Sequence, residues 1–371
     1  MAKAKPPYHV PTMDEIEAVP SNGLRVASTF SGCGGSCLGY RMAGFNVVWA
    51  NEFIRAARDT YELNHPECTI DPRDIRDIKP EEIRERVGEI DLLDGSPPCS
   101  AFSTAGKRQH GWGQVKDYSD TQQRVDDLFF EFARILKGLQ PRVFVAENVA
   151  GLVKGAAKGM FLEILSTLKQ CGYRVTCRVL DAQWLGVPQS RRRTIFVGTR
   201  LDLDWEPVHP KPLPYRYTVI DALPWIVSVE DGLNRPPKRS AVPCPTILTH
   251  GNRKTQSSRE VEADTRMYPC YESEWDKLLP GQASEKFFSL VRIDPSKPCP
   301  TVDTSAERAS VCHPYQKRKF SIAELRRICG FPDDFQLTGT YAQQWERLGR
   351  AVPPVMMHKI ADAIAKEIFK V

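Results

Sequence analysis

Between Leu24 and about Thr199, short apolar runs alternate with helical stretches, and this alternation constrains the chain more than any other feature. Leu24–Phe30, Asn46–Ala50, Ile90–Leu93, Val143–Ala146, Arg174–Leu180 and Thr194–Gly198 read as strands, several of them apolar on both faces. Ser36–Ala43, Phe53–Leu63, Gln122–Lys137 and Met160–Gln170 carry helical periodicity between them. Strands that need burial on both faces, alternating with helices, predict an α/β fold: a mostly parallel, doubly wound sheet covered by helices. Ligands of such folds bind beyond the carboxyl ends of the strands. Chemistry is therefore to be sought in the motifs at those ends.

After Arg200 the texture changes. Leu201–Cys312 is rich in Pro, Ser, Thr and Arg, with weak periodicity, and a Pro-Cys-Pro-Thr tetrad occurs at Pro243–Thr246 and again at Pro298–Thr301. Helical patterns return at Ser321–Cys329 and Pro354–Lys370. The expected organisation is a flexible N-terminus over residues 1–22, a main domain built from residues 23–200 and 341–371, and a smaller loop-rich domain over residues 201–340. A chain of 371 residues suits one large and one smaller domain. No run of about 18 apolar residues exists, which excludes a helical membrane span. Met1–Val19 lacks the apolar segment of a signal peptide. The net charge of +5 leans toward polyanionic partners only weakly. The eleven cysteines are expected as reduced thiols, and their spacing, Cys33 and Cys37 included, matches no zinc pattern. No metal site is expected.

The first strand runs into Phe30-Ser31-Gly32-Cys33-Gly34-Gly35-Ser36. Glycines there let a ligand approach the backbone, and the next helix offers unpaired N–H groups. The second strand ends in Asn51-Glu52-Phe53, where a carboxylate can accept the ribose hydroxyls of an adenosine. Arg73-Asp74-Ile75 can bring a second acid to the adenine. Each acid, taken singly, is equally well read as a helix cap or a solvated loop end.

Three further strand-end motifs carry reactive groups. Ser96-Pro97-Pro98-Cys99-Ser100 puts a thiol after a proline-stiffened turn, Val143–Ala146 ends in Glu147-Asn148-Val149, and Gln189-Ser190-Arg191-Arg192-Arg193 leads into the strand at Thr194. Alternate residues of a strand share a face, so Arg191 and Arg193 are expected to point the same way. A buried packing cysteine is the common fate of a free thiol, but a thiol, a carboxyl and two guanidiniums beside an adenosine site suit one reaction. Thiolate addition to carbon 6 of cytosine activates carbon 5 toward a methyl donor. The carboxyl can hydrogen-bond N3 and the amino group, and an arginine can hold O2.

In these motifs the sequence resembles the cytosine-5 DNA methyltransferase family. The likeness runs in the family's order through Phe30–Gly35, Asn51–Phe53, Ser96–Ser100, Glu147–Leu152, Gln189–Arg193 and Glu324–Phe335. It implies a Rossmann-like class I methyltransferase fold, with a target-recognition domain in the loop-rich region. Carried over by motif, Cys99 is the nucleophile, Glu147 the N3 partner, and Arg191 and Arg193 the substrate-site arginines. Phe30, Gly32, Gly34, Glu52, Phe53, Asp74, Pro97, Arg350 and Val352 line the S-adenosyl-L-methionine pocket. Ser100–Arg124 resembles the family's mobile loop over DNA, and the target base is flipped out of the duplex. The expected partner is double-stranded DNA met by a monomer in a bacterial or phage-infected cytoplasm, with a cognate restriction endonuclease as a further partner. A transfer RNA substrate and a catalytically silent DNA-binding regulator are the rival readings. Arg253, Lys254, Arg259 and Arg266 suit phosphate and groove contacts.

One position departs from the family pattern. Leu348-Gly349-Arg350-Ala351-Val352-Pro353-Pro354 carries Arg350 where the family has Asn. A guanidinium about 6 Å from a sulfonium, at an effective dielectric of about 20, repels it by roughly 3 kcal/mol. Arg350 must therefore turn outward, pair with an acid such as Glu52 or Asp74, or meet a carboxylate on the donor itself. The last alternative is carboxy-S-adenosyl-L-methionine, delivering a carboxymethyl group.

Overall fold

The computed structural model describes residues 5–98, 115–118, 121–124, 127–153, 157–226, 265–287, 290–306 and 310–371. In chain order its regular elements begin with α1 (Met13–Glu17), β1 (Arg25–Thr29), α2 (Gly35–Met42), β2 (Asn46–Asn51), α3 (Arg55–Asn64) and β3 (Thr69–Asp71). There follow α4 (Pro80–Val87), β4 (Leu92–Gly95), β5 (Val115–Tyr118), β6 (Thr121–Arg124), α5 (Leu128–Leu139) and β7 (Val143–Val149). Then come α6 (Lys158–Gln170), β8 (Tyr173–Asp181), β9 (Arg192–Arg200) and α7 (Val219–Ala222). The last are α8 (Pro269–Trp275), β10 (Val291–Arg292), β11 (Val311–Cys312), α9 (Ile322–Ile328), α10 (Tyr341–Arg350) and α11 (Pro354–Ile364). The chain forms two compact units. The larger holds Ile16–Asp181, Arg192–Lys211 and Met357–Val371, and the other Met1–Glu15, Ala182–Arg191 and Pro212–Met356.

The larger unit is built on a seven-stranded sheet in the order β3-β2-β1-β4-β7-β9-β8. All neighbours through β7 pair in parallel, and β9 runs antiparallel to both β7 and β8. The mostly parallel doubly wound sheet expected from the alternation is thus the one found. Its strand order reverses between β1 and β4, and the crevice outside those two strand ends is where such sheets hold ligands. The core explains the near-continuous apolar runs. Leu128, Phe132, Ile135, Leu136 and Leu139 recur on one stripe of α5 and pack with Trp49, Leu93, Phe144 and Phe196 of the sheet. The Phe132 and Phe144 rings meet edge to face, with centroids 6.0 Å apart.

Several boundaries differ from the sequence reading. The helix expected over Gln122–Lys137 begins only at Leu128, while Thr121–Arg124 pairs with Val115–Tyr118 as a hairpin. The short β3 and the mostly polar α4 were not legible as elements. Within the expected flexible N-terminus, the described residues make anchoring contacts: Tyr8 Oη donates to the Arg327 carbonyl at 2.9 Å, and the Met13 N–H donates to the Asp334 carboxylate at 3.0 Å. The return of the chain to the larger unit also comes later than residue 341. Tyr341–Met356 belongs with the second unit, where Trp345 Nε1 of α10 donates to the Asp303 carbonyl at 3.0 Å. The second unit has its own small core of Met267, Trp275, Leu278, Leu290 and Cys312. Among the described residues, no helix is long and apolar enough to cross a membrane.

Candidate active site

The turn after β1 is shaped by three residues with left-handed backbone: Phe30 (φ 54°), Gly32 (φ 57°) and Gly34 (φ 89°). A Cβ at Gly34 would lie 2.3 Å from His65 Nε2, so no other residue fits there. Gly32 is the opposite case, because a Cβ there would meet open space. The Gly32 N–H donates to Glu52 Oε2 and the Ile54 N–H to Glu52 Oε1, both at 2.7 Å. Two backbone donors thus fix the Glu52 carboxylate beside that space. The donor set and the opening suit the ribose end of an adenosine cofactor.

The neighbouring loop is tied to this turn through the amide of Asn51, which donates to the carbonyls of Asp71 and Arg73 at 3.0 and 2.9 Å. Asp74 follows, half-buried, its carboxylate accepting from the Arg76 N–H at 3.0 Å and from Arg76 Nη1 at 2.9 Å. Phe53 is half-buried and Pro97 buried.

At the end of β4 the Ser96 N–H reaches the Thr29 carbonyl at 3.4 Å. Asn148 Nδ2 donates to the Pro97 carbonyl at 3.1 Å, and Asn148 Oδ1 accepts from the Val149 N–H. This buried amide fastens the proline turn to β7 just before Cys99. Cys99 itself lies outside the described residues, as do Ser100–Gln114, Arg253, Lys254 and Arg259. Arg266 is described and exposed.

Glu147 and Arg193 are brought together. In the antiparallel pairing of β7 with β9, Arg193 stands opposite Val149, diagonally across from Glu147. Arg193 Nε lies 2.7 Å from Glu147 Oε1, with only 14% and 10% of the two side chains exposed. The contact is one of charge: Oε1, itself buried, accepts no aligned hydrogen bond among the described residues. Burial lowers the Arg193 pKa and the carboxylate opposes that shift. A carboxyl beside a cation can hold the amino and N3 edge of a pyrimidine while the cation faces its oxygen.

Arg191 lies just ahead of β9. β9 begins at Arg192, and the buried Arg191 guanidinium donates to the carbonyls of Gly349 at 2.8 Å and Val302 at 3.4 Å. Its place is as a brace inside the second unit. Arg350 Nη2 lies 2.7 Å from Glu346 Oε1, one turn back on α10. Val352 is buried close by in sequence.

Sequence reasoning missed two buried polar residues. Asn148 was passed over beside its charged neighbour. Asp94, an acid inside the otherwise apolar Leu92–Gly95, is fully buried and hydrogen-bonded by Ser28 Oγ at 2.9 Å and Tyr40 Oη at 3.2 Å. Burial pushes its pKa up to about 7 against those hydrogen bonds, and the Glu147 charge adds to the rise.

Comparison with known proteins adds three findings. The profile of the family described as C-5 cytosine-specific DNA methylase matches residues 24–366. The type II methyltransferase M1.HphI of Haemophilus parahaemolyticus is 31% identical over 352 residues, covering 92% of this chain and 87% of its own. M.NgoPII of Neisseria gonorrhoeae is 30% identical over 354 residues, covering 94% and 97%. Among solved structures, a protein encoded in an E. coli prophage and described as a DNA modification methyltransferase superposes with a TM-score of 0.70. It is 22% identical and covers 94% of this chain and 100% of its own. A DNMT2 variant of Spodoptera frugiperda reaches 0.61 at 17% identity, over 91% and 98%. At those identities the two structures speak for the fold.

Proposed function

This chain belongs to the C-5 cytosine-specific DNA methylase family, and on that premise we propose how its own residues carry out methylation of cytosine at carbon 5 in DNA. The observation that carries the reading is the buried Glu147–Arg193 pair at 2.7 Å, beside the proline turn that Asn148 holds immediately ahead of Cys99. S-adenosyl-L-methionine, as the bound cofactor, would supply the methyl group. Glu52 and Asp74 would hold its adenosine, with the open side of Gly32 giving the backbone access that an added Cβ would fill.

In the proposed reaction the base is flipped out and the Cys99 thiolate forms a bond to carbon 6. The ring's electron pair moves toward carbon 5 while the Glu147 carboxyl holds the N3 and amino edge of the ring. Arg193 faces the O2 oxygen and stabilises its gathering charge. Once carbon 5 carries the methyl group, its proton leaves to a water molecule, the carbon 6–sulfur bond breaks and the thiolate is released. Arg191 is proposed as a brace on the carbonyls of Gly349 and Val302.

The donor we propose is the ordinary one. Arg350 already faces Glu346, so its charge does not call for a carboxylate on the donor. The second unit, with Arg266 on its surface, is proposed as the target-recognition part, acting on double-stranded DNA. A monomer, a bacterial or phage-infected cytoplasm and a cognate restriction endonuclease complete the proposal, by analogy with the type II methyltransferases it resembles.

The test is incubation with duplex DNA containing 5-fluorocytosine and S-adenosyl-L-methionine. Fluorine blocks loss of the carbon 5 substituent, so the wild type should remain covalently attached and Cys99→Ala should not. Parallel reactions on unmodified DNA and on transfer RNA, with both donors offered, are read by nucleoside mass spectrometry. Only 5-methylcytosine in DNA supports the proposal. Absence of any adduct points to the silent binder, modified RNA to the transfer RNA rival, and carboxymethylcytosine to the carboxylated donor.

A further inference from the structure

Arg76 uses both edges of its guanidinium. Nη1 meets the Asp74 carboxylate at 2.9 Å, while Nε and Nη2 form a two-pronged contact with Asp127, Nε to Oδ2 at 3.1 Å. Asp127 caps α5, its carbonyl accepting from the Phe130 and Glu131 N–H groups. A second arginine grips the same loop from α5, because Arg134 donates to the carbonyls of Ile75 at 2.7 Å and Ile78 at 2.9 Å. The acid on the adenosine side is therefore anchored to α5, whose apolar stripe is bolted into the sheet core.

We propose that Arg76 is a positioning residue for the adenosine end of the cofactor, holding Asp74 by anchoring it on Asp127. The proposal rests on the assignment of Asp74 to the adenosine pocket. Arg suits the task because a planar fork can engage two carboxylates along different edges, which the single point charge of Lys cannot. A free carboxylate at the end of a short loop would sample several orientations, and the cofactor would have to order it on binding. The Arg76 fork does so in advance.

The experiment measures the dissociation constant of S-adenosylhomocysteine by calorimetry, and KM and kcat for S-adenosylmethionine, in full-length variants. Arg76→Met and Asp127→Asn should each weaken cofactor binding by roughly tenfold, the scale of one charge-assisted hydrogen bond. The double variant should lose little more than either alone, since both break one chain of contacts. The loss should fall in KM far more than in kcat, and Arg76→Lys should recover part of it. Asp74→Asn serves as the control on the pocket itself. If Asp74→Asn weakens binding and Arg76→Met and Asp127→Asn do not, Asp74 is a pocket residue and the anchoring role is overturned. If Asp74→Asn also leaves binding unchanged, the pocket assignment fails and the proposal with it. Equal losses in KM and kcat with a lowered melting temperature overturn it as well, because that pattern marks a purely structural arginine.

Discussion

The Glu147 carboxylate lies 2.7 Å from Nε of Arg193, across two antiparallel strands and almost out of contact with solvent. Removing one partner of such a buried pair leaves the other charge without compensation, which costs about 3–5 kcal/mol. Arg193→Met should therefore lose roughly that much stability in urea unfolding, and Glu147→Gln combined with Arg193→Met should recover a large part of it. Glu147→Gln alone should slow single-turnover methyl transfer by about a hundredfold or more, the usual scale for a lost electrostatic contact to the reacting group. A single-variant cost no larger than that of an exposed pair, below about 1 kcal/mol, would show that the pair is not buried in solution.

Asn148 supports a second prediction. Its amide is the donor to the Pro97 carbonyl, and both residues are buried. Asn148→Ala should leave that carbonyl unsatisfied, at a cost of about 1–3 kcal/mol. The turn leading to Cys99 would then be less well held, so covalent trapping on 5-fluorocytosine DNA should slow by more than S-adenosylhomocysteine affinity falls. Equal effects on both would mean that the amide serves general stability and not the placement of the turn.

Strand ends were legible in the sequence because their neighbours are. Val143–Ala146 reads as buried on both faces, which fixes where Glu147 emerges, and the glycines after Thr29 mark a turn that only left-handed backbone can make. The partners of Arg191 were beyond the pattern reading, because it stands ahead of β9 and the carbonyls of Val302 and Gly349 are distant in sequence. The partner of Arg350 was equally beyond the pattern reading, which looked to distant acids when Glu346 stood one helical turn away. Asp94 shows a deeper limit. Nothing in Leu92–Gly95 announces that Ser28 and Tyr40, far off in sequence, will solvate a buried acid.

That acid gives a pH prediction. Its pKa in the fold is about 7, against about 3.9 for an exposed aspartate. The native state therefore holds the proton more tightly than the unfolded chain, and the stabilisation this confers is fully present below about pH 4. It is lost progressively as pH rises through 7, at no more than about 1.4 kcal/mol per pH unit. Asp94→Asn removes the titration, so unfolding free energies of wild type and variant should diverge in the variant's favour between pH 5 and pH 8. Parallel pH profiles for the two proteins would refute the assignment.

Arg350 supplies the last test. Its side chain is 40% exposed and its charge is met by Glu346 on the same helix. An uncompensated guanidinium about 6 Å from a sulfonium would weaken the cofactor by about a hundredfold, and Arg350→Asn would then tighten binding by a similar factor. With Glu346 in place the guanidinium and carboxylate largely cancel at a distance. Arg350→Asn should thus change the S-adenosylmethionine dissociation constant by only a few fold, and stability by less than about 1 kcal/mol, as for other exposed pairs. Glu346→Gln is the informative partner variant, because it removes the carboxylate that this guanidinium faces. It should weaken S-adenosylmethionine more than uncharged adenosine, and raising the salt concentration should shrink the difference. If Arg350→Asn alone tightens binding by a hundredfold, the ion pair with Glu346 does not neutralise the charge that the cofactor feels.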